Sequence, residues 1–269
     1  MKYLFSLIFL FCSLFYSIAA SLPEAEKELS ALFEALKGSQ TKDESLLIHA
    51  QIEATLYEAL QNPKSFQYPF ETLHFLGKIY SDDNLLRIYT WNVPFADGTF
   101  MYGCIIQQKK NNTLTVLKIK DVAYKPNLDR YIAVNNWYGA LYYRAIPVSH
   151  KKDTYYTLLG WSGNDSMTNF KTIDALTFND KGKAQLGLPV FKRKNKTQHR
   201  YLLEYGGRDS MSLDYDKKKK QIIFDHLAPS SDKYKGIHTD YGPDFSYDAF
   251  QLKKKDWIFV EEVDARNKD

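Results

Sequence analysis

A chain of 269 residues with 36 Lys and Arg against 32 Asp and Glu carries a net charge of only +4 at neutral pH, too balanced for a surface built to grip nucleic acid or an anionic membrane. Its length allows one large all-β domain or a domain with an appendage, with a core able to stand without disulfides. Aromatic residues make up 15% of the chain, including 20 Tyr and 17 Phe, which favours strands and thick aromatic packing.

The first 20 residues read as a secretory signal peptide. Lys2 supplies the positive end, Tyr3 to Phe15 the apolar run, and Ser17, Ala19 and Ala20 the small residues of a cleavage site after Ala19 or Ala20. The run is shorter than the roughly 20 residues a membrane span needs. No later segment is apolar enough to span. Cys12 follows Phe11 inside the run, so it does not form a lipidation site. The expectation is an exported protein, periplasmic or at the cell surface. Cys104 would then be the one cysteine of the mature chain, in a strand-like apolar stretch that suits a buried, inert thiol.

Residues 21–66 read as a helical hairpin. Ser21 and Glu24 match a capping box with Pro23 in the first turn, and Ala25, Leu29, Phe33 and Leu36 follow the helical period up to Gly38. Thr41 and Glu44 match a second box. Ile48, Ile52, Leu56 and Leu60 then lead to Asn62-Pro63, which ends the helix. This hairpin has a broad apolar face to bury, and the rest of the chain is its natural partner.

From residue 67 to 269 the apolar period changes to 2. Short strand-like runs such as Leu85–Trp91, Phe100–Gln107, Thr113–Ile119, Gly139–Ser149, Thr154–Gly160 and Thr172–Phe178 are separated by turn clusters, with no helices between them. The expected fold is mainly β with an N-terminal helical hairpin (α+β), its strands an antiparallel meander forming a curved sheet, sandwich or barrel. A small propeller-like arrangement is the alternative. It is motivated by an internal echo: Leu158–Met167 and Leu202–Met211 share Leu-Leu, an aromatic, a Gly and Asp-Ser-Met at matching positions. Lys217 to Lys220 read as a solvated hairpin tip.

The densest mixtures of Asp, His, Tyr, Gly and Pro fall in Asp225–Pro229 and Tyr241–Asp248, read as two loops. Trp161, Asp165, Tyr205, Asp209, Asp225, His226, Tyr241 and Asp244 are the candidates for one ligand-binding face. Asp225 and His226 are neighbours on a strand end, where adjacent side chains point to opposite faces, so Asp225 does not orient the imidazole. Asp240, Asp244 and Asp248 match no EF-hand spacing. Asp165-Ser166 and Asp209-Ser210 lack the Gly-x-Ser-x-Gly elbow of a serine hydrolase. No His spacing suits a metal, and no pattern points to a cofactor.

The stretches Tyr156–Thr177 (YTLLGWSGNDSMTNFKTIDALT), Ile222–Pro229 (IIFDHLAP) and Tyr241–Phe250 (YGPDFSYDAF), together with Leu85–Trp91 (LLRIYTW), resemble a group of exported proteins of Gram-negative bacteria that has no assigned activity. The resemblance covers most of the chain after residue 70. It implies a periplasmic or outer-surface address and carries over no catalytic residue. Three functions compete. The first is a non-catalytic module binding a ligand or envelope component through loops of the β domain. The second is a hydrolase of envelope or extracellular polymers, which needs His226 within hydrogen-bond reach of Asp240, Asp244 or Asp248 in a concave site. The third is a structural partner docking through an exposed apolar face of its hairpin.

Overall fold

Ser21 starts the first helix as the capping box requires. Its hydroxyl accepts from Glu24 N at 3.4 Å, and the Glu24 carboxylate accepts from Ser21 N at 2.9 Å. A computed structural model describes residues 21–111, 113–121, 127–150, 153–179 and 182–265, so the leader read in residues 1–20 lies outside the described residues. Helix α1 runs Leu22–Gly38 and α2 runs Lys42–Leu60. At α2 the Thr41 hydroxyl caps Glu44 N, but the Glu44 carboxylate takes Gln40 N instead of Thr41 N, so the second box is only half formed.

The strands follow in chain order: β1 Gly77–Tyr80, β2 Leu86–Pro94, β3 Phe100–Lys110, β4 Thr113–Lys120, β5 Ile132–Ala133, β6 Leu141–His150, β7 Asp153–Gly163, β8 Thr168–Phe178, β9 Ala184–Leu186, β10 Phe191–Arg193, β11 Lys196–Gln198, β12 Arg200–Gly206, β13 Leu213–Asp216, β14 Gln221–Pro229, β15 Tyr241–Lys253 and β16 Asp256–Val260. They form three sheets. The first is the meander β1-β2-β3-β4. The second has the order β5-β9-β8-β7-β6, with β12 also on β8. The third has the order β11-β10-β16-β15-β14-β13.

The layers stack in series: helical hairpin, first sheet, second sheet, third sheet. Strand alternation gives each middle sheet two apolar faces. Along β2, Tyr89, Trp91 and Val93 pack on Leu29, Phe33, Ile52 and Leu56 of the hairpin, while Leu86 and Ile88 face the second sheet. Along β7, Tyr156 and Leu158 face the first sheet, and Tyr155 and Leu159 face the third. Trp137, Trp91 and Trp257 are fully buried, one in each of the three seams. Cys104 lies in the middle seam, where burial pushes its thiol pKa up.

One buried cation ties the hairpin's end to the first sheet. The Arg87 guanidinium donates to the carbonyls of Ser65 (2.8 Å), Phe66 (3.1 Å) and Tyr68 (2.7 Å). It lies 4.7 Å from the Tyr80 ring and 4.8 Å from the Tyr89 ring.

The expected fold, mainly β with an N-terminal helical hairpin and sandwich-like sheets, is the one observed, with three differences in detail. The pairing is not wholly antiparallel, because β10 and β16 run parallel. The sheets lie face to face, neither closing into a barrel nor radiating as propeller blades. The two echoed segments begin in β7 and β12, which flank the same stretch of β8 in one sheet, so they are not successive blades. Third, Asp225–Pro229 and Tyr241–Asp248 are strand, not loop: β14 and β15 pair along both stretches. The hairpin's apolar face is covered by the first sheet. Among the described residues, Leu47 is the one large apolar side chain exposed on α1 or α2. No described helix is long and apolar enough to cross a membrane.

Candidate functional site

The β14–β15 ladder breaks at His226. Asp225 pairs with Tyr247 and Leu227 with Pro243, so His226 alone is opposed by Asp244, Phe245 and Ser246. Pro243 has no N–H to give the ladder, which suits the start of a bulge. Asp244 closes it: its Oδ1 accepts from Ser246 N at 3.0 Å and from Ser246 Oγ at 2.7 Å. Burial would push the Asp244 carboxyl up. The Ser246 hydrogen bonds and nearby His226 outweigh it and hold Asp244 below the usual aspartate range.

Phe245 forms the tip. Its φ is +69°, in the left-handed region, and 93% of it is exposed. Bulky residues avoid this backbone region because Cβ crowds the following carbonyl. The ring gains no burial in return.

His226 finds its carboxylate across the ladder. His226 Nδ1 lies 2.8 Å from Asp248 Oδ2. Asp248 is 7% exposed, and its other oxygen accepts from Glu262 N at 3.2 Å, whereas the His226 side chain is 43% exposed. A carboxylate only accepts, so Nδ1 is the donor to Asp248 and the hydrogen bond fixes the orientation of the ring. The pair has the geometry of an imidazole oriented by a carboxylate. The Ser246 hydroxyl, in the bulge opposite His226, donates to Asp244.

The other sequence candidates gather around this end of the second and third sheets, but most carry structural bonds. Asp165 Oδ1 accepts from Met167 N (2.7 Å) and Thr168 N (2.8 Å), closing the β7–β8 turn. Asp225 Oδ2 accepts from Ser212 N at 2.6 Å. Tyr241 Oη accepts from Gly236 N at 3.0 Å. Asp209 lies against Gly206 and Gly242, joining the end of β12 to the start of β15. Trp161 and Tyr205 flank β8 near Lys171, which sits opposite both Trp161 and Leu203; burial holds the Tyr205 hydroxyl above the usual tyrosine pKa, partly opposed by Trp161. Asp225 and His226 point to different partners, as the alternation of adjacent residues requires.

One residue at the centre of the site, Phe245, stands outside the sequence-based set. Asp248 is one of the three carboxylates expected within reach of His226, and strand register brings that one to hydrogen-bond distance. Phe245 is conspicuous only through its backbone angle, for which its sequence neighbours give no signal. Among the described residues, no three His, Cys, Asp or Glu side chains gather as a metal-binding group. No protein family, no curated protein and no solved structure matches the chain.

Proposed function

We propose that the chain is an exported binding module that grips an envelope component through the β14–β15 bulge, with Phe245 as apolar anchor and His226, oriented by Asp248, as polar contact. The observation that carries this reading is the exposed Phe245 in left-handed backbone. Such a residue costs about 1 kcal/mol or more in strain and, here, is not offset by burial. Exposed aromatics are the side chains on which recognition most often turns. The leader read in residues 1–20 supports export. The test is co-sedimentation of the purified chain with peptidoglycan sacculi, with phospholipid vesicles run in parallel. Phe245→Gly should lose binding to sacculi while unfolding at the same temperature or higher. Binding to neither material, or undiminished binding by F245G, overturns the reading. Binding to vesicles alone reassigns the anchor to lipid.

The His226–Asp248 pair favours a second reading, hydrolysis of an envelope or extracellular polymer with His226 as general base. It predicts soluble fragments released from sacculi by the wild type and by F245G at high protein concentration, but not by His226→Ala. Absence of fragments with the wild type removes it.

A further inference from the structure

The near balance of charge over the whole chain breaks down at one end of the third sheet. Two turns there, Lys217–Lys220 between β13 and β14 and Lys253–Lys255 between β15 and β16, carry only lysines, all of them exposed. Strand register sets the two basic runs side by side. Gln221 lies opposite Gln251, Leu252 N donates to Lys220 O at 3.0 Å, and Gln251 Nε2 donates to the carbonyls of Lys219 and Lys220 at 3.1 Å each. Each tip also keeps a lysine in left-handed backbone, Lys220 at φ +53° and Lys254 at φ +57°, where turn chemistry alone favours Gly or Asn.

Carboxylates answer only part of this charge. Asp82 pairs with Lys217 at 3.2 Å and Asp216 with Lys219 at 3.8 Å. Asp256, the cross-strand partner of Lys253, is taken by Lys192 at 2.6 Å. Lys218, Lys220 and Lys253–Lys255 make no ion pair among the described residues, and their ammonium groups face solvent. Asp82 also brings in the β1–β2 turn, which exposes Leu85. Lys109 N donates to Leu85 O at 2.8 Å, which adds the exposed Lys109 and Lys110 to this end along with the carboxylate of Asp83.

The chemistry of the tips selects the kind of polyanion. Neither tip carries an aromatic ring to stack on a base or an arginine to fork onto one phosphate. A cluster of lysine point charges suits a surface of mobile anionic headgroups, and an aliphatic side chain at its border suits the zone just beneath them.

We infer that this end docks on an anionic bilayer surface, with Lys217–Lys220 and Lys253–Lys255 over the headgroups and Leu85 at their border. About 20 Å of β14 separates Lys220 from His226, at ~3.3 Å per residue, so the patch stands apart from the bulge and neither proposal depends on the other.

Flotation of the full chain with vesicles tests it, using about one third phosphatidylglycerol in phosphatidylcholine against phosphatidylcholine alone. The chain should float with the anionic vesicles only, and raised salt should release it. Lys253→Gln/Lys254→Asn/Lys255→Gln should bind at least ~tenfold more weakly while unfolding within a few degrees of wild type or higher. Lys27→Gln/Lys37→Gln/Lys235→Gln, with the same change in net charge elsewhere, should bind as wild type does, and so should F245G. No flotation with anionic vesicles overturns the inference, as does equal flotation with phosphatidylcholine or undiminished binding by the 253–255 variant. An equal loss in the control variant would reduce the effect to net charge, and a loss in F245G would move the lipid contact to the bulge; either overturns it. Tighter binding of a duplex oligonucleotide than of anionic vesicles at the same salt would reassign the patch to nucleic acid.

Discussion

Arg200 and Asp174 face each other across the β8–β12 pair with Nε and Oδ2 3.0 Å apart, and neither side chain reaches solvent. The same carboxylate oxygen accepts from Tyr138 Oη at 3.1 Å. The guanidinium also donates to the carbonyls of Asn127, Arg130 (2.9 Å) and Leu186 (3.2 Å), pinning the segment before β5 to the second sheet. A buried pair roughly balances its desolvation against its attraction, but removing one partner strands the other charge. Arg200→Met should therefore cost about 3–5 kcal/mol in equilibrium urea unfolding. The double change Arg200→Met/Asp174→Leu should cost clearly less than the two single changes added together. Additive losses would show the two groups to be energetically independent.

Arg87 makes the contrasting case, a buried cation answered by three carbonyls and the rings of Phe70, Tyr80 and Tyr89. Arg87→Met removes the donor from the carbonyls of Ser65, Phe66 and Tyr68, and should lower stability by about 2–4 kcal/mol. Arg87→Lys should restore only part of this, because an ammonium lacks the planar fork that serves three acceptors and stacks on Tyr80 and Tyr89. Full recovery with Lys would mean that charge alone matters there.

His49 should make stability pH-dependent. Its folded pKa is held below the usual histidine value, by burial first. As pH falls below the unfolded pKa of roughly 6.5, the unfolded chain takes up a proton that the folded chain refuses, so stability is lost on acidification until the folded pKa is reached. Above that window the contribution is fully present. His49→Gln should flatten the dependence of the urea midpoint between about pH 5 and 7 relative to wild type. An unchanged slope would assign the pH dependence to other groups.

Gly103 lies beneath the Trp91 ring, its cross-strand partner. A Cβ there would meet the indole at 2.1 Å, and the ring is buried against the hairpin with little room to retreat. Gly103→Ala should cost about 2–3 kcal/mol or more through overpacking and blue- or red-shift the Trp91 emission. A near-neutral change would mean that the seam between helices and sheet is loosely packed.

These relationships differ in how far the sequence announces them. The helices were legible because caps and period are local: Ser21, Glu24 and Thr41 state their own roles within four residues. The apolar alternation of β2, β3, β7 and β8 likewise places strands within a few residues of their observed ends. Sheet order was not legible, because β10 joins β16 across a long stretch of chain and no local pattern records that pairing. The site divides in the same way. Asp165 sits in a turn that its own composition suggests, and Asp225, as the alternation of adjacent residues implies, does not orient His226. Its partner Asp248 was among the three carboxylates named for it, but which of the three would reach it was not legible, because a three-residue bulge sets the register of the next strand. Gly242-Pro243 resembles loop punctuation, which hid the start of β15 and with it the bulge that carries Phe245.

The parallel strand β16 sits inside the third sheet, between β10 and β15. Its position has a temporal meaning. As the chain is made or threaded from its N-terminal side, β10, β11, β13, β14 and β15 are all present before residues 256–260 arrive, yet β10 has no route into the sheet without them. Trp257, whose indole N–H donates to Thr157 Oγ1 at 2.8 Å, is also missing from the last apolar seam until then. The third layer is closed by β16 like a keystone, so it stays open on that side until residues 256–260 are delivered.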